Sequence, residues 1–468
     1  MIQQNKDRET SGAIARRRKN RTPMMTDRFD FFQNWYPVSP LEDLDPGKPT
    51  PVTLLGMNIV LWKPPASPQY RAFLDQCPHR LAPLSEGRID ETSGNLMCSY
   101  HGWEFDAEGT CTRIPQAENP ELVDKNRQNF CVSAFPTREA QEMLWIWADR
   151  TSPELAERTP LPLSDAIDLD TDTDSVWKSM VRDLDYDWQT LIENVADPSH
   201  VPFAHHGLQG DRKMGSPLPV KVVESTPKRI EATIDRGLNT KIVFEPPCRL
   251  EYCFSAGDKR WGILTYCLPI SPGKSRIVAF FPRNFAKTFH RLTPRWWDHI
   301  ALRNLVLEGD MILLHQQERY LQQKRQSDSW KNIYKMPTSA DRLAIEFRRW
   351  FDLYSQGKLP WEDVGIFPPP VLPTNGDRRQ VLDRYSQHTQ HCSSCRNALK
   401  QIKRLQVVLL VYFTLAISTA AVMPDGVRSR LGLPLVAIAL LGLGAWTGLK
   451  FWLEPRFYFV DYVHSEKN

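Results

Sequence analysis

Cys77-Pro78-His79-Arg80, followed after seventeen intervening residues by Cys98-Ser99-Tyr100-His101-Gly102-Trp103, is the stretch on which the reading of this chain turns. Each segment pairs a thiol with an imidazole, with one residue between Cys77 and His79 and two between Cys98 and His101. Four such donors on two loops suit tetrahedral zinc, or a two-iron, two-sulfur cluster with one iron on thiolates and the other on imidazoles. The spacing favours the cluster. Two neutral imidazoles in place of thiolates raise the reduction potential above that of an all-cysteine cluster, so such a centre accepts electrons from a ferredoxin.

Outward from this motif, residues 29–149 hold short β-favouring runs, such as Val52-Thr53-Leu54-Leu55 and Asn58-Ile59-Val60-Leu61-Trp62, broken by Pro, Gly and Asp turns. A small antiparallel β domain is expected there. Residues 1–28 carry the basic run Arg16-Arg17-Arg18-Lys19-Asn20-Arg21 and read as a disordered arm, with an organellar transit peptide as the alternative. A Pro-, Asp- and Thr-rich linker is expected over 150–174. Beyond it, a helix near Asp187 to Val195, strands between Val220 and Phe281, and a long helical pattern from Pro294 to Gln323 argue for an α+β unit over 175–385.

The 468 residues carry 59 basic and 55 acidic side chains, a net charge of +4, which is too balanced for a nucleic-acid binder. Nine cysteines, an odd number with no secretory signal before them, argue against a disulfide framework. Cys111 and Cys131 lack a histidine at ligand spacing and read as small buried hydrophobes.

A second metal is implied by Glu193-Asn194-Val195-Ala196-Asp197-Pro198-Ser199-His200-Val201-Pro202-Phe203-Ala204-His205-His206. Two imidazoles and one carboxylate on one face of Fe(II) leave positions for dioxygen. The carboxylate must come from farther along. Asp310 is favoured because its helical neighbours are Val306, Leu307, Leu313 and Leu314, an apolar face, while Glu308 is the less well placed alternative. His206 is the alternative to His205.

Near the C-terminal end, Leu405 to Met423 and Leu431 to Leu449 are uncharged, each long enough for a bilayer core at ~1.5 Å per residue. Two transmembrane helices are expected over 405–453, followed by a tail over 454–468. A buried soluble helix pair is the alternative. Arg396, Lys400, Lys403 and Arg404 before the first span and Lys450 and Arg456 after the second outnumber Arg428 and Arg430 between them, which puts the bulk of the protein on the cytoplasmic or stromal side. The connector over 386–404 contains Cys392-Ser393-Ser394-Cys395, readable as a redox-regulatory dithiol, as half of a zinc site with His388 or His391, or as two inert thiols.

The Cys-Pro-His-Arg loop continues into Ala82-Pro83-Leu84-Ser85-Glu86-Gly87 and the second loop reads Tyr-His-Gly-Trp, and in this the chain resembles the Rieske oxygenases. The resemblance implies an N-terminal all-β Rieske domain whose [2Fe-2S] cluster is held by Cys77, His79, Cys98 and His101. It also implies a helix-grip catalytic domain whose mononuclear Fe(II) is held by His200, His205 and Asp310. Asp197 then links this iron to a cluster histidine across the subunit boundary of a homotrimer, and Asn194 lies near the metal. The opening Asn34-Trp35-Tyr36-Pro37-Val38, the iron loop and the Cys-x-x-Cys ahead of two spans are similar to the branch containing pheophorbide a oxygenase, chlorophyllide a oxygenase and the translocon-associated Rieske protein of the plastid envelope. That branch implies a ferredoxin-dependent monooxygenase drawing a tetrapyrrole from the lipid of a thylakoid or plasma membrane, a cyanobacterial source being favoured over a plastid. Ring opening of pheophorbide a is the reaction expected first. Hydroxylation of chlorophyllide, protochlorophyllide or a phyllobilin is the alternative, and a membrane Rieske electron carrier or redox sensor is the alternative of another class.

Overall fold

A computed structural model describes residues 28–167, 175–236, 238–325, 329–358, 360–361 and 377–466. The arm expected over 1–28, but for its last residue, and the 168–174 part of the expected linker lie outside these. The fold is a mixture of helix and sheet, with an N-terminal β domain, an antiparallel-sheet domain and two apolar C-terminal helices.

Eleven short strands build the N-terminal part: β1 (Trp35–Pro40), β2 (Thr50–Leu54), β3 (Met57–Trp62), β4 (Arg71–Leu74), β5 (Arg88–Ile89), β6 (Leu96–Met97), β7 (Glu104–Phe105), β8 (Cys111–Arg113), β9 (Ala134–Phe135), β10 (Thr137–Ala140) and β11 (Met143–Trp147). They form three antiparallel sheets, ordered β1-β11-β10, β2-β3-β4-β9 and β5-β6-β7-β8. The smallest strands matter most for function, since the Cys77 loop joins β4 to β5 and the Cys98 loop joins β6 to β7. A separate small core of Val60, Trp62, Phe73, Leu84, Leu96 and Phe105 supports both loops.

The second domain is a seven-stranded antiparallel sheet of β12 (Ser179–Leu184), β13 (Val220–Thr226), β14 (Arg229–Arg236), β15 (Leu238–Glu245), β16 (Arg249–Ala256), β17 (Lys259–Ser271) and β18 (Lys274–Phe280), in the order β12-β18-β17-β16-β15-β14-β13. Helix α1 (Trp188–Ala196) buries Trp188, Leu191 and Ile192, apolar positions three and four apart, as an amphipathic helix on a sheet should. Its turn continues through Pro198–His200 into the short helix α2 (Val201–Ala204). The two domains share one core: Trp145 of β11 meets Tyr266 of β17 edge to face at 5.3 Å, and the backbone N–H groups of Leu55 and Gly56 donate to the carbonyls of Pro269 and Ile270.

Helix α3 (Asn304–Arg325) is fixed in register by a buried ion cluster. Glu308 is fully buried and accepts from Arg182 Nη1 at 2.8 Å and from Arg384 Nε and Nη2 at 2.5 and 2.6 Å. Arg182 also donates to Asn304 Oδ1 at 2.7 Å, and Arg384 Nη1 to the Arg456 carbonyl at 2.6 Å. Glu308 is thus fully engaged and faces away from the iron loop.

The C-terminal helices α4 (Ser393–Val422) and α5 (Leu433–Thr447) are long and apolar enough, with the turns continuing α5, to cross a membrane. Side chains such as Val408, Leu415 and Leu441 stand exposed. Helix α4 begins at Ser393, within the segment expected as a connector. After α5 the chain returns to the sheet domain, where Thr389 Oγ1 donates to the Phe457 carbonyl at 2.7 Å and Arg384 N to the Tyr458 carbonyl at 2.9 Å.

Glu308→Gln removes the anion between two buried guanidinium groups. The expected loss is about 3–5 kcal/mol of stability, the cost of leaving a buried charge uncompensated. It is measured as a lowered denaturation midpoint of the detergent-solubilised full chain.

Candidate active site

The two cluster loops are built as a facing pair. Asp75 ties the ends of the first, accepting from Ser85 N at 2.7 Å and Ser85 Oγ at 2.6 Å, and Ser99 Oγ donates across to the Glu86 carbonyl at 2.7 Å. Each loop closes on its cysteine: Leu81 N donates to the Cys77 carbonyl, and Gly102 N to the Cys98 carbonyl. Gly102 has φ +72°, so the turn that presents His101 requires a residue without a side chain.

Both thiols are buried, and the two histidines lie partly exposed with ring centroids 4.4 Å apart. Trp103 stacks on His79 at 4.7 Å. Burial, then the neighbouring Cys98, pushes the Cys77 thiol up to about 12, so a thiolate there calls for a bound cation. His79 Nδ1 is buried without a hydrogen-bond partner. Two thiols under two imidazoles, with such an orphaned ring nitrogen, fit a [2Fe-2S] cluster of mixed ligation.

In the sheet domain the second donor set is equally compact. His200 Nε2 and His205 Nε2 are 3.1 Å apart, and the Asp310 carboxylate lies 3.7 Å from the first and 3.3 Å from the second. α1, the turn after it and α2 supply the histidines, and α3 supplies the acid. His200 Nδ1 and His205 Nδ1 are both buried without partners. Two nitrogens and one oxygen converging in this way fit a 2-His-1-carboxylate iron site.

His206 turns aside, its Nδ1 accepting from Arg212 N at 3.2 Å. Asp197 accepts from Ser199 N at 2.7 Å through one oxygen, and its other oxygen is 4.0 Å from His200 Nδ1, with the side chain a third exposed. Asn194 borders the adjoining cavity. Cys131 is exposed, contrary to the expectation of a buried small hydrophobe.

The structure adds residues that no spacing in the sequence announced. Tyr462 donates from its hydroxyl to the Ala204 carbonyl at 2.9 Å, and His464, its ring 5.0 Å from that of Tyr462, lies beside the Gly309 backbone. Both come from the tail beyond the two apolar helices. Burial, followed by the charge of Asp310, raises the phenols of Tyr186 and Tyr462. Tyr252 donates to the Val195 carbonyl at 2.7 Å and so holds the end of α1.

A cavity of about 1170 Å³ opens onto His200, His205 and Asp310. Alternate residues of adjacent strands line it, among them Tyr252 and Phe254 of β16, Trp261 and Ile263 of β17, and Ile277 of β18. This exceeds the roughly 300–1,000 Å³ usual for small-molecule sites, and its walls are largely aromatic and aliphatic. Arg283 and Arg303 interrupt them. Arg303 is paired with Asp298 at 3.0 Å, whereas Arg283 donates to His290 Nδ1 at 2.8 Å and has no carboxylate partner among the described residues.

The sequence pattern of the Rieske [2Fe-2S] domain matches residues 34–136, and that of pheophorbide a oxygenase matches residues 244–328. The chain is 39% identical to the chloroplastic pheophorbide a oxygenase of Oryza sativa subsp. japonica, over 95% of this chain and 87% of the relative. It is 32% identical to the chloroplastic flavonoid 8-hydroxylase 2 of Ocimum basilicum, over 94% and 86%. Among solved structures, dicamba monooxygenase bound to dicamba superposes with a TM-score of 0.57 at 22% identity, covering 70% of this chain and 98% of that one, which is a likeness of fold.

Gly309 lets α3 approach α2, since a Cβ there would lie 3.1 Å from the Ala204 carbonyl and 3.2 Å from His205 Nδ1. Gly309→Ala is expected to push the His205 ring aside and lower metal retention by this triad, with the cluster's visible spectrum unchanged. Tyr462→Phe leaves the Ala204 carbonyl without its donor, at an expected cost of about 1–3 kcal/mol. Hydrogen exchange across residues 200–206 is the measurement that detects it.

Proposed function

The chain belongs to the pheophorbide a oxygenase family of Rieske oxygenases, and from this membership and the geometry above we propose that it oxygenates a chlorophyll-derived tetrapyrrole, with ring-opening oxygenation of pheophorbide a as the reaction. Cys77, His79, Cys98 and His101 hold the [2Fe-2S] cluster, and His200, His205 and Asp310 hold the mononuclear Fe(II). When bound, these groups supply electron relay and dioxygen activation. The observation that carries the substrate reading is the wide aromatic cavity opening directly onto the triad.

The reaction balances as a monooxygenation. One oxygen atom enters the substrate, and the other leaves as water with two protons and two electrons, which a ferredoxin-type donor delivers one at a time. The protein's own contribution is positional. Tyr252, Phe254 and Trp261 offer flat apolar surface to a macrocycle, Arg283 offers a cation to its acid group, and the buried Glu308 cluster keeps Asp310 turned toward the histidines. Asp197, exposed beside His200, links to a cluster histidine of the next subunit in a homotrimer, and it orients that histidine by hydrogen bonding. The apolar helices embed in a thylakoid or plasma membrane with the domains on the cytoplasmic or stromal side, as the basic residues flanking the spans favour. A lipid-soluble substrate then enters from the membrane plane.

The test is incubation of the full chain with reduced ferredoxin, dioxygen and a panel of pheophorbide a, chlorophyllide a, protochlorophyllide and a flavone, read by mass spectrometry. A gain of oxygen by pheophorbide a is expected. Turnover of the flavone alone, or of none of the four, overturns the substrate assignment. Iron content should be three per chain, and Asp310→Ala should leave two, abolishing oxygenation while the cluster's absorption persists. An electron carrier would hold two in the wild type as well.

Arg283→Leu removes one charge-assisted hydrogen bond to an acidic substrate, worth about 1.5–3 kcal/mol. The expected result is a KM raised at least about tenfold with kcat little altered, measured on the acid and absent for its methyl ester.

A further inference from the structure

A second ligand cluster lies outside both iron sites, at the root of the membrane hairpin. His299 Nδ1, His388 Nε2, Cys392 Sγ and Cys395 Sγ converge, and all four residues are buried. His388 Nε2 is 3.1 Å from His299 Nδ1 and 3.3 Å from Cys395 Sγ, and His299 Nδ1 is 3.5 Å from Cys395 Sγ and 3.7 Å from Cys392 Sγ. Tetrahedral zinc, with bonds of about 2.0–2.1 Å to nitrogen and 2.3 Å to sulfur, sets its donors roughly 3.3–3.8 Å apart. The four spacings above, 3.1 to 3.7 Å, lie close to those of such a cage.

The orientation of the rings is independent support. His299 Nε2 lies 2.9 Å from the Ser179 carbonyl, and His388 Nδ1 lies 2.6 Å from the Val181 carbonyl, both on β12. A carbonyl only accepts, so each ring carries its proton on that side and turns a lone pair into the cluster. Backbone carbonyls bonded to the far nitrogen of each ligating histidine are the usual outer support of a zinc site. The charge also closes. Two thiolates neutralise a divalent cation, and Arg295, 3.1 Å from Cys392 Sγ, is itself paired with Glu42 and Asp43.

We propose that His299, His388, Cys392 and Cys395 form a closed tetrahedral zinc site that staples the first membrane helix to the catalytic domain. Four protein donors leave no position for water, so the site is structural. His299 stands just ahead of α3, which bears Asp310, while the two cysteines open α4. The metal therefore joins the iron-bearing helix, β12 and the membrane anchor at one point.

Elemental analysis of the purified full chain, loaded with its iron, should find one zinc per chain beside three irons. His299→Ala and Cys392→Ser should each lose that zinc while the cluster's visible and EPR spectra persist, and Asp310→Ala should keep it. In the wild type, alkylation of Cys392 and Cys395 in denaturant should require prior removal of the metal by a chelator, a readout that stands even if the variants fail to fold. The proposal is overturned by absence of zinc with the two cysteines recovered as a disulfide or as freely alkylated thiols. It is equally overturned by a fourth iron in place of zinc, or by zinc that survives His299→Ala and leaves with Asp310→Ala.

Discussion

The position of Asp310 depends on Glu308, two residues before it on α3. Residues two apart on a helix point to nearly opposite sides. Arg182 from β12 and Arg384 from the segment ahead of the apolar hairpin clamp Glu308 from one side, so Asp310 must face the other, where His200 and His205 wait. With all three charges fully buried, sliding α3 by one residue would withdraw Glu308 from both guanidinium groups at once. That penalty makes the geometry of the metal site a property of the helix register.

Strand β12 extends the same logic. Its side chain at Arg182 holds α3, and its carbonyls at Ser179 and Val181, the positions on either side of Met180, hold His299 and His388. One edge strand thus sets both an ion cluster and a ligand cluster. An edge strand normally exposes unpaired carbonyls, a standing risk of unwanted pairing. Here the free edge of β12 is spent on two histidines, which protects it and orients them.

How much of this could be read from the sequence follows from how far apart the partners lie. Cys77 with His79, Cys98 with His101, and His200 with His205 sit within a few residues of each other, so spacing alone displays them. Asp310 is more than a hundred residues from His200, yet helical periodicity marked it, because a carboxylate on an apolar face needs a partner. Periodicity could not tell that Glu308 was already committed, since Arg182 and Arg384 are distant in the chain. Nor could it find His299, whose partners stand some ninety residues later, or Tyr462 and His464, which return to the catalytic domain only because the hairpin folds back. The Cys392-x-x-Cys395 spacing was visible, but its chemistry depends on two rings that only the fold brings to it.

The hairpin is consequently more than a tether. Its first helix starts at Cys392 and Cys395, in contact with the His299 that precedes α3, and the chain leaving its second helix ends at Tyr462 and His464, against Ala204 and Gly309. Those two landing points lie next to His205 at the end of α2 and Asp310 on α3. The hairpin therefore meets the segment ahead of α3 and the end of α2 together, so that the way it is seated bears on the separation between Asp310 and His205.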